Sequence, residues 1–225
     1  MSDTLLESVP ERYRGVWVRR LLQTPQGRDT TTAVHWLQTQ RWHADLRIPA
    51  GPRVAATLLG FSGITTVHME GGHEVCQWHR QVDLQPPGLF PDVGRMVFET
   101  PDRVIETGVH GDYLEVWERL PGSAGFSATH ERGALRCLVA GAYAMRVRPR
   151  CAAWPADVQA GDTLAEVLER HPAEAEALLD FEISFGPLHQ GLWTITHSTL
   201  PALQGQRVDW EALLERPAGG PASSA

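Results

Sequence analysis

From Tyr13 onward the chain runs as short stretches in which apolar and polar residues alternate, broken by turn residues; a period of two is the mark of strands. The pattern predicts strands over residues 16–22, 33–39, 43–49, 75–84, 95–100, 103–107, 113–120, 134–139 and 142–148. Pro25-Gln26-Gly27, Ala50-Gly51-Pro52, Gly71-Gly72, Pro101-Asp102, Gly111-Asp112 and Pro121-Gly122 supply the turn chemistry between them. Residues 60–67 (GFSGITTV) fit either a strand or a short helix across a barrel mouth. Near the C-terminus the period changes. Leu164, Val167 and Leu168 form an apolar stripe at helical spacing, behind Asp162 as a cap and a capping box in Thr163-Leu164-Ala165-Glu166. Pro172 restarts a second short helix through Leu179, and two further strands follow at 181–185 and 193–199. The fold class is therefore all-β: an antiparallel closed barrel with one or two short helices near the C-terminus. The expected divisions are a leader at 1–12, a single β-barrel domain at 13–215 and a disordered tail at 216–225, rich in Pro, Gly, Ser and Ala.

The alternation also sorts side chains into faces. Tyr113, Glu115, Trp117 and Arg119 share one face of their strand, as do Cys76, Trp78 and Arg80 of theirs. His43, Asp45 and Arg47 oppose Ala44, Leu46 and Ile48, while Val34, Trp36 and Gln38 oppose His35 and Leu37. Large aromatic rings thus recur beside charges. A solvent face concentrates Trp and Tyr poorly, so these stripes are expected to point into the barrel and line a pocket for a small ligand. Charges placed there must pair: Asp45 with Arg47 or Arg80, and Glu115 with Arg119 or Arg80.

Composition narrows the chemistry. All 20 basic residues are arginine. Without lysine the chain can form no Schiff base with pyridoxal phosphate or a carbonyl substrate, and has no P-loop lysine. A formal net charge of −7 disfavours nucleic acid and anionic membrane surfaces as partners. The first residues, MSDTLLESVPERY, carry acids and no long apolar run, and Cys76, Cys137 and Cys151 are odd in number and widely spaced. Free thiols in a reducing cytoplasm are the expectation. Monomer and homodimer stay open.

Metal and nucleotide chemistry find little purchase. In His73-x-x-Cys76-x-x-His79, Cys76 faces away from both histidines on a strand, and no His-Glu-x-x-His spacing occurs. There is no Gly-x-Ser-x-Gly elbow, and no Gly-x-Gly-x-x-Gly opens a βαβ unit. What remains is acid–base chemistry without a cofactor in a dry pocket, with Glu106, Glu115, Asp45, His35 and His197 as candidate bases. Glu115 stands out because it lies between Tyr113 and Trp117, which could hold a flat ring.

The opening strand Gly15-Val16-Trp17-Val18-Arg19, the Gly111-Asp112-Tyr113 turn and the late helix resemble lipocalin-like calycins, closed barrels that hold small, often hydrophobic ligands. The chain departs from them in having no secretory signal, no paired cysteines and a more charged interior. Four runs resemble small bacterial proteins encoded with indole-degradation genes: Val34-His35-Trp36-Leu37-Gln38-Thr39, Ala44-Asp45-Leu46-Arg47-Ile48-Pro49, Cys76-Gln77-Trp78-His79-Arg80 and Tyr113-Leu114-Glu115-Val116-Trp117. That resemblance implies a cofactor-independent oxygenase converting 3-hydroxyindolin-2-one and dioxygen to anthranilate. Glu115 or Glu106 would be the base, Arg47 or Arg80 would steady the anion with Asp45 beside them, and Trp36, Gln38, Trp78, Tyr113, Trp117 and Cys76 would line the substrate site. A cytosolic carrier or sensor of a small hydrophobic ligand and a haem-binding barrel are the alternatives.

Overall fold

The computed structural model describes residues 8–51 and 54–215. Residues 1–7 of the expected leader, and the expected tail at 216–225, lie outside the described residues. Nine strands come first: β1 (Gly15–Thr24), β2 (Gly27–Asp29), β3 (Ala33–Gln38), β4 (Trp42–Ile48), β5 (Leu59–Glu70), β6 (His73–Asp83), β7 (Asp92–Thr100), β8 (Arg103–Gly108) and β9 (Leu114–Arg119). Eight of them, β1 and β3 to β9, form an up-and-down antiparallel barrel that closes where β9 pairs back onto β1. The short β2 folds back as a hairpin on the far end of β1. The ambiguous residues 60–67 belong to β5, and β6 bulges at Gln81 opposite the Ser62–Gly63 step.

The strands predicted at 134–139, 142–148 and 181–185 exist but lie outside the barrel. They belong to a second antiparallel sheet of β10 (Ser127–Arg132), β11 (Leu135–Ala140), β12 (Tyr143–Arg148), β13 (Glu182–His189), β14 (Leu192–Thr194) and β16 (Arg207–Asp209), with β15 (His197–Ser198) paired to β13. The single strand expected at 193–199 is split between β14 and β15. The physical reason lies on the outer wall of the barrel. Val16, Leu37, Ala44, Leu46 and Ile48 point outward and are buried in one apolar cluster with Leu138, Met145, Val147, Ile183 and Phe185 of the second sheet. An outer stripe this apolar needs a cover, so β3 and β4 are buried on both faces.

Three short helices complete the chain: α1 (Leu164–Arg170), α2 (Ala175–Leu179) and α3 (Trp210–Glu215). Thr163 and Glu166 form the predicted capping box at α1. Asp162 does not cap it and instead pairs with Arg170 at 2.6 Å. Leu164 seats α1 in the cluster under the second sheet, and Trp210 seats α3 on that sheet's other face against Trp193, 5.6 Å between ring centroids. Among the described residues no helix is long and apolar enough to cross a membrane.

One end of the barrel is shut. Val9 and Tyr13, flanking a 3-10 turn at Glu11–Tyr13, are buried among Trp17, Trp36 and Phe98 as its floor. The Arg119 guanidinium lies 4.5 Å from the Trp17 ring and donates to the carbonyls of Arg12, Arg14 and Pro101. Gly15, at φ +136°, lets the chain swing from the floor into β1, and a Cβ there would lie 3.1 Å from Arg119 Nη1.

The joint between barrel and second sheet holds a pH-sensitive stack. His35, on the outer face of β3, packs 4.2 Å from the Phe185 ring and 4.6 Å from that of His197. Burial first, then His197 and Arg20, hold its pKa down to about 3, and its Nδ1 has no hydrogen-bond partner. The folded state therefore prefers the neutral ring. Its contribution to stability is full above the usual 6.5 and is lost as the pH falls from there toward about 3. His35→Phe should flatten the acid side of the stability profile, by up to about 1.4 kcal/mol per pH unit. Urea denaturation of both proteins between neutral pH and pH 4 measures it, and parallel profiles would reject it.

Candidate functional site

Odd-numbered positions of β3 to β9 do not all point inward, but the register brings the predicted stripes together in the lumen. Trp36 pairs with Asp45, Trp78 with Asp92, Cys76 with Gly94, and Glu106 with Glu115. The aromatic rings pack mainly on one another: Trp36 is 5.3 Å from Trp78, 5.7 Å from Trp117 and 6.2 Å from Trp17 between ring centroids. The lumen is thus largely filled by its own walls. A chamber of about 10 Å³ remains, lined by Trp36, Asp45, Arg47, Phe61, Trp78, Asp92, Glu106 and Trp117. That is room for about one water molecule.

Charges in this dry space are paired in a chain. Arg19 donates to Glu115 at 2.6 Å and to Asp29 at 2.9 Å. Arg47 grips Asp45 through two bonds of 2.8 and 3.3 Å, with Glu115 at 3.7 Å from its Nη1. Burial opposes the charge on Arg47, but Asp45 and Glu115 outweigh it and hold its pKa well above the usual value. Among the described residues Glu106 makes no ion pair, and Arg47 acts on it only from a distance. The Tyr113 hydroxyl donates to its Oε1 at 2.8 Å and the Trp117 indole to its Oε2 at 3.0 Å. Gly94 makes room for it, since a Cβ at that position would lie 2.6 Å from Glu106 Cγ. Burial, then the negative charges of Glu115 and Asp92, push the Glu106 pKa well above the carboxylate range. Two carboxyl groups face each other across one strand pair, and their surroundings separate their roles: Glu115 is held by two arginines, Glu106 by neutral donors.

The open end carries the larger spaces. A cleft of about 530 Å³ is walled by Trp78, Phe90 and Trp154 and edged by Arg80, Asp83 and Asp92. Trp78 and Asp92 line both this cleft and the inner chamber. Arg80 donates to Asp92 at 2.7 and 3.0 Å and to Asp83 at 2.9 Å, with its guanidinium 3.5 Å from the Phe61 ring. Further round the rim lies a second cleft of about 530 Å³, lined by residues that include Arg95, Thr107, Gly108, Tyr113 and Leu114.

All eleven predicted site residues are found in the barrel, in three settings. Trp36, Gln38, Cys76 and Trp117 are buried. Gln38 is committed structurally: its Nε2 donates to the carbonyls of Thr39 and Trp42, and its Oε1 accepts from Trp36 and Thr65. Burial, then Glu106, pushes the Cys76 thiol well up and leaves it protonated. Asp45, Arg47 and Glu115 form the ion-pair chain, and Glu106 is joined to Tyr113. Trp78 and Arg80 reach the cleft walled by Phe90 and Trp154, and Tyr113 also lines the second cleft. The expected partners of Glu115, Arg119 and Arg80, are replaced by Arg19 and Arg47, because Arg119 is spent on the floor and Arg80 on Asp83 and Asp92. Of the other candidate bases, His35 and His197 stack between barrel and second sheet, outside the lumen.

Sequence reasoning missed Arg19, Asp29, Asp92 and Gly94. Arg19 was within reach, since it stands two residues after Trp17 on the same face. Asp92 and Gly94 were not, because β7 begins three residues before its predicted start, immediately after a proline-rich loop. Among the described residues no group of three or more His, Cys, Asp or Glu side chains is placed to hold a metal ion. No family model and no curated protein matches the chain. Among solved structures, it is similar to the uncharacterized protein YLR301w of Saccharomyces cerevisiae, with 15% identity and a TM-score of 0.45, over 59% of this chain and 72% of that one.

Two substitutions test this electrostatic arrangement. Arg47→Met leaves Asp45 and part of the Glu115 charge uncompensated and should cost about 3–5 kcal/mol of stability, read by denaturant titration. Glu106→Gln keeps an acceptor for Trp117 and offers a donor to Tyr113 while removing the buried ionisation. In the native protein the unfolded chain ionises near the usual 4.5 and the folded one higher, so stability falls as pH rises between those values. The variant should therefore gain on the native protein across that window, and a constant difference from pH 4 to pH 8 would show that Glu106 titrates normally.

Proposed function

We propose that the protein is an enzyme that binds a small, flat aromatic molecule in the cleft walled by Trp78, Phe90 and Trp154 and transforms it by proton abstraction. One observation carries this reading: Trp78 and Asp92 are a wall shared by a cleft of about 530 Å³, large enough for a bicyclic ring, and a water-sized chamber that Glu106 lines. The binding face supplies rings for stacking and Arg80 for a developing anion. Behind it stands a carboxyl group whose affinity for a proton is raised by burial and by Glu115, which strengthens it as a base. Glu106 takes this role ahead of Glu115, which is held by Arg19 and Arg47 and lines neither space.

The finer reading is a cofactor-independent oxygenase of indole catabolism, and it rests on the resemblance of the runs at 34–39, 44–49, 76–80 and 113–117. The substrate would be 3-hydroxyindolin-2-one. Removal of its C3 proton gives an electron-rich anion that can pass an electron to dioxygen. Oxygen then bonds to C3, and the peroxide closes on the C2 carbonyl. Cleavage of the O–O and C2–C3 bonds leaves the C3 carboxylate and a carbamate, which releases carbon dioxide to give anthranilate. One dioxygen is consumed for each carbon dioxide formed. The protein contributes deprotonation, orientation and exclusion of water. A lipocalin-like origin for the scaffold is supported by Gly15-Val16-Trp17 in the first strand and by an eight-stranded up-and-down barrel with a closed floor and an open mouth.

Oxygen uptake by the purified protein with 3-hydroxyindolin-2-one is the test. Turnover is expected, lowered about 10²–10⁴-fold in Glu106→Gln, with labelled dioxygen placing one label in anthranilate and one in carbon dioxide. Undiminished uptake in Glu106→Gln would reject the base. Binding of indole-like ligands without turnover would make the protein a carrier, and a Soret band in the purified protein would make it a haem barrel.

A further inference from the structure

Glu106 occupies an unusual position between two spaces. Its carboxyl group lines the chamber that adjoins the Trp78–Asp92 cleft, and its Oε1 accepts from Tyr113 at 2.8 Å. Tyr113 in turn lines the second cleft, further round the barrel rim beside β7, β8 and β1. The other bond to Glu106 comes from Trp117, whose indole has a single N–H, no acceptor nitrogen, and a place in the buried lumen, so it can hold the carboxyl but cannot pass a proton on. A hydroxyl can accept one proton while donating another. A flat molecule seated against Trp78 and Asp92 would cover the first cleft and leave the second open.

We propose that Tyr113 is the proton outlet of Glu106, so that Asp92, the water-sized chamber, Glu106 and Tyr113 form a path from one cleft to the other. In its catalytic use this rests on the function proposed above. A proton removed on the Asp92 side reaches Glu106. It leaves when the Glu106 O–H bond breaks toward the Tyr113 oxygen as the Tyr113 O–H bond breaks toward water in the second cleft. Glu106 returns to its carboxylate and Tyr113 to its neutral phenol, with one proton moved and no redox change. The hand-off is concerted, because burial, followed by the neighbouring Glu106, disfavours a free tyrosinate at Tyr113. Tyr113, read from the sequence as a wall for the substrate ring, becomes a group acting through Glu106.

The path can be read without turnover, with indole seated in the Trp78–Asp92 cleft so that only the second cleft is open to solvent. At acidic pH the carboxylic acid band of Glu106 is assigned in the infrared by its loss in Glu106→Gln, and its exchange in D2O is followed by stopped flow. Tyr113→Phe keeps the ring and removes the hydroxyl; exchange should slow by about a hundredfold, the low end of what a positioned proton donor contributes. A ring-fluorinated tyrosine at position 113 keeps a more acidic hydroxyl and should restore exchange to at least the native rate. It also serves as the probe if Tyr113→Phe fails to fold, since exchange below the native rate would then count against the path. Unchanged exchange in Tyr113→Phe overturns the proposal, whatever the turnover. Slowed exchange in a protein that consumes no oxygen keeps the path and rejects the oxygenase. Slowed exchange together with a kcat that falls while KM holds supports both.

Discussion

Strands β3 and β4 have no face toward water. Their outer side chains are pressed against the second sheet and their inner ones against the tryptophans of the lumen. A polar group on the inner face must therefore be answered by protein, and water can help at only about one position. Much else follows from this. Asp45 needs Arg47, Glu115 needs Arg19 and Arg47, and Gln38 uses both ends of its amide to satisfy Thr39, Trp42, Trp36 and Thr65. The outer aliphatic stripe in turn requires residues 127–209 to fold over it.

Within that constraint, Glu106 is the exception that gives the site its chemistry. Two carboxyl groups directly opposed on a strand pair repel when both are charged. The available arginines are already engaged, on Glu115 and Asp45 in the lumen and on Asp83 and Asp92 at the mouth. Glu106 is left with two neutral donors and a raised affinity for a proton. The same scarcity of cations that costs folding energy raises the affinity of this carboxyl group for a proton. Its place behind Trp78 and Asp92 separates this buried carboxyl group from the open cleft.

The lumen was largely legible in the sequence, because alternation is a property of the chain itself. Tyr113-Glu115-Trp117, Cys76-Trp78-Arg80 and Asp45-Arg47 face inward as period-two counting requires. Which charge meets which was not legible, since pairing depends on strand order: Arg19 reaches Glu115 only because β1 and β9 close the barrel. The free volume was not legible either. An aromatic stripe is equally consistent with rings that wait for a ligand and rings that fill the space themselves, and Trp36, Trp78 and Trp117 pack on each other. The second sheet escaped notice because a run of aliphatic outward positions states only that a cover exists. Which later segment supplies it is a matter of tertiary packing.

The floor of the barrel joins distant parts of the chain. Arg119, at the end of the last barrel strand, binds the carbonyl of Arg14, 105 residues earlier, just ahead of the first strand. Closure therefore has to wait until just over half the chain is made, and the loop it closes is long. During synthesis the early strands must persist as an open sheet with its tryptophan face uncovered, a state prone to association. The second sheet, encoded after Arg119, emerges only once the ring can be complete. The order of the gene thus places the cover after the vessel.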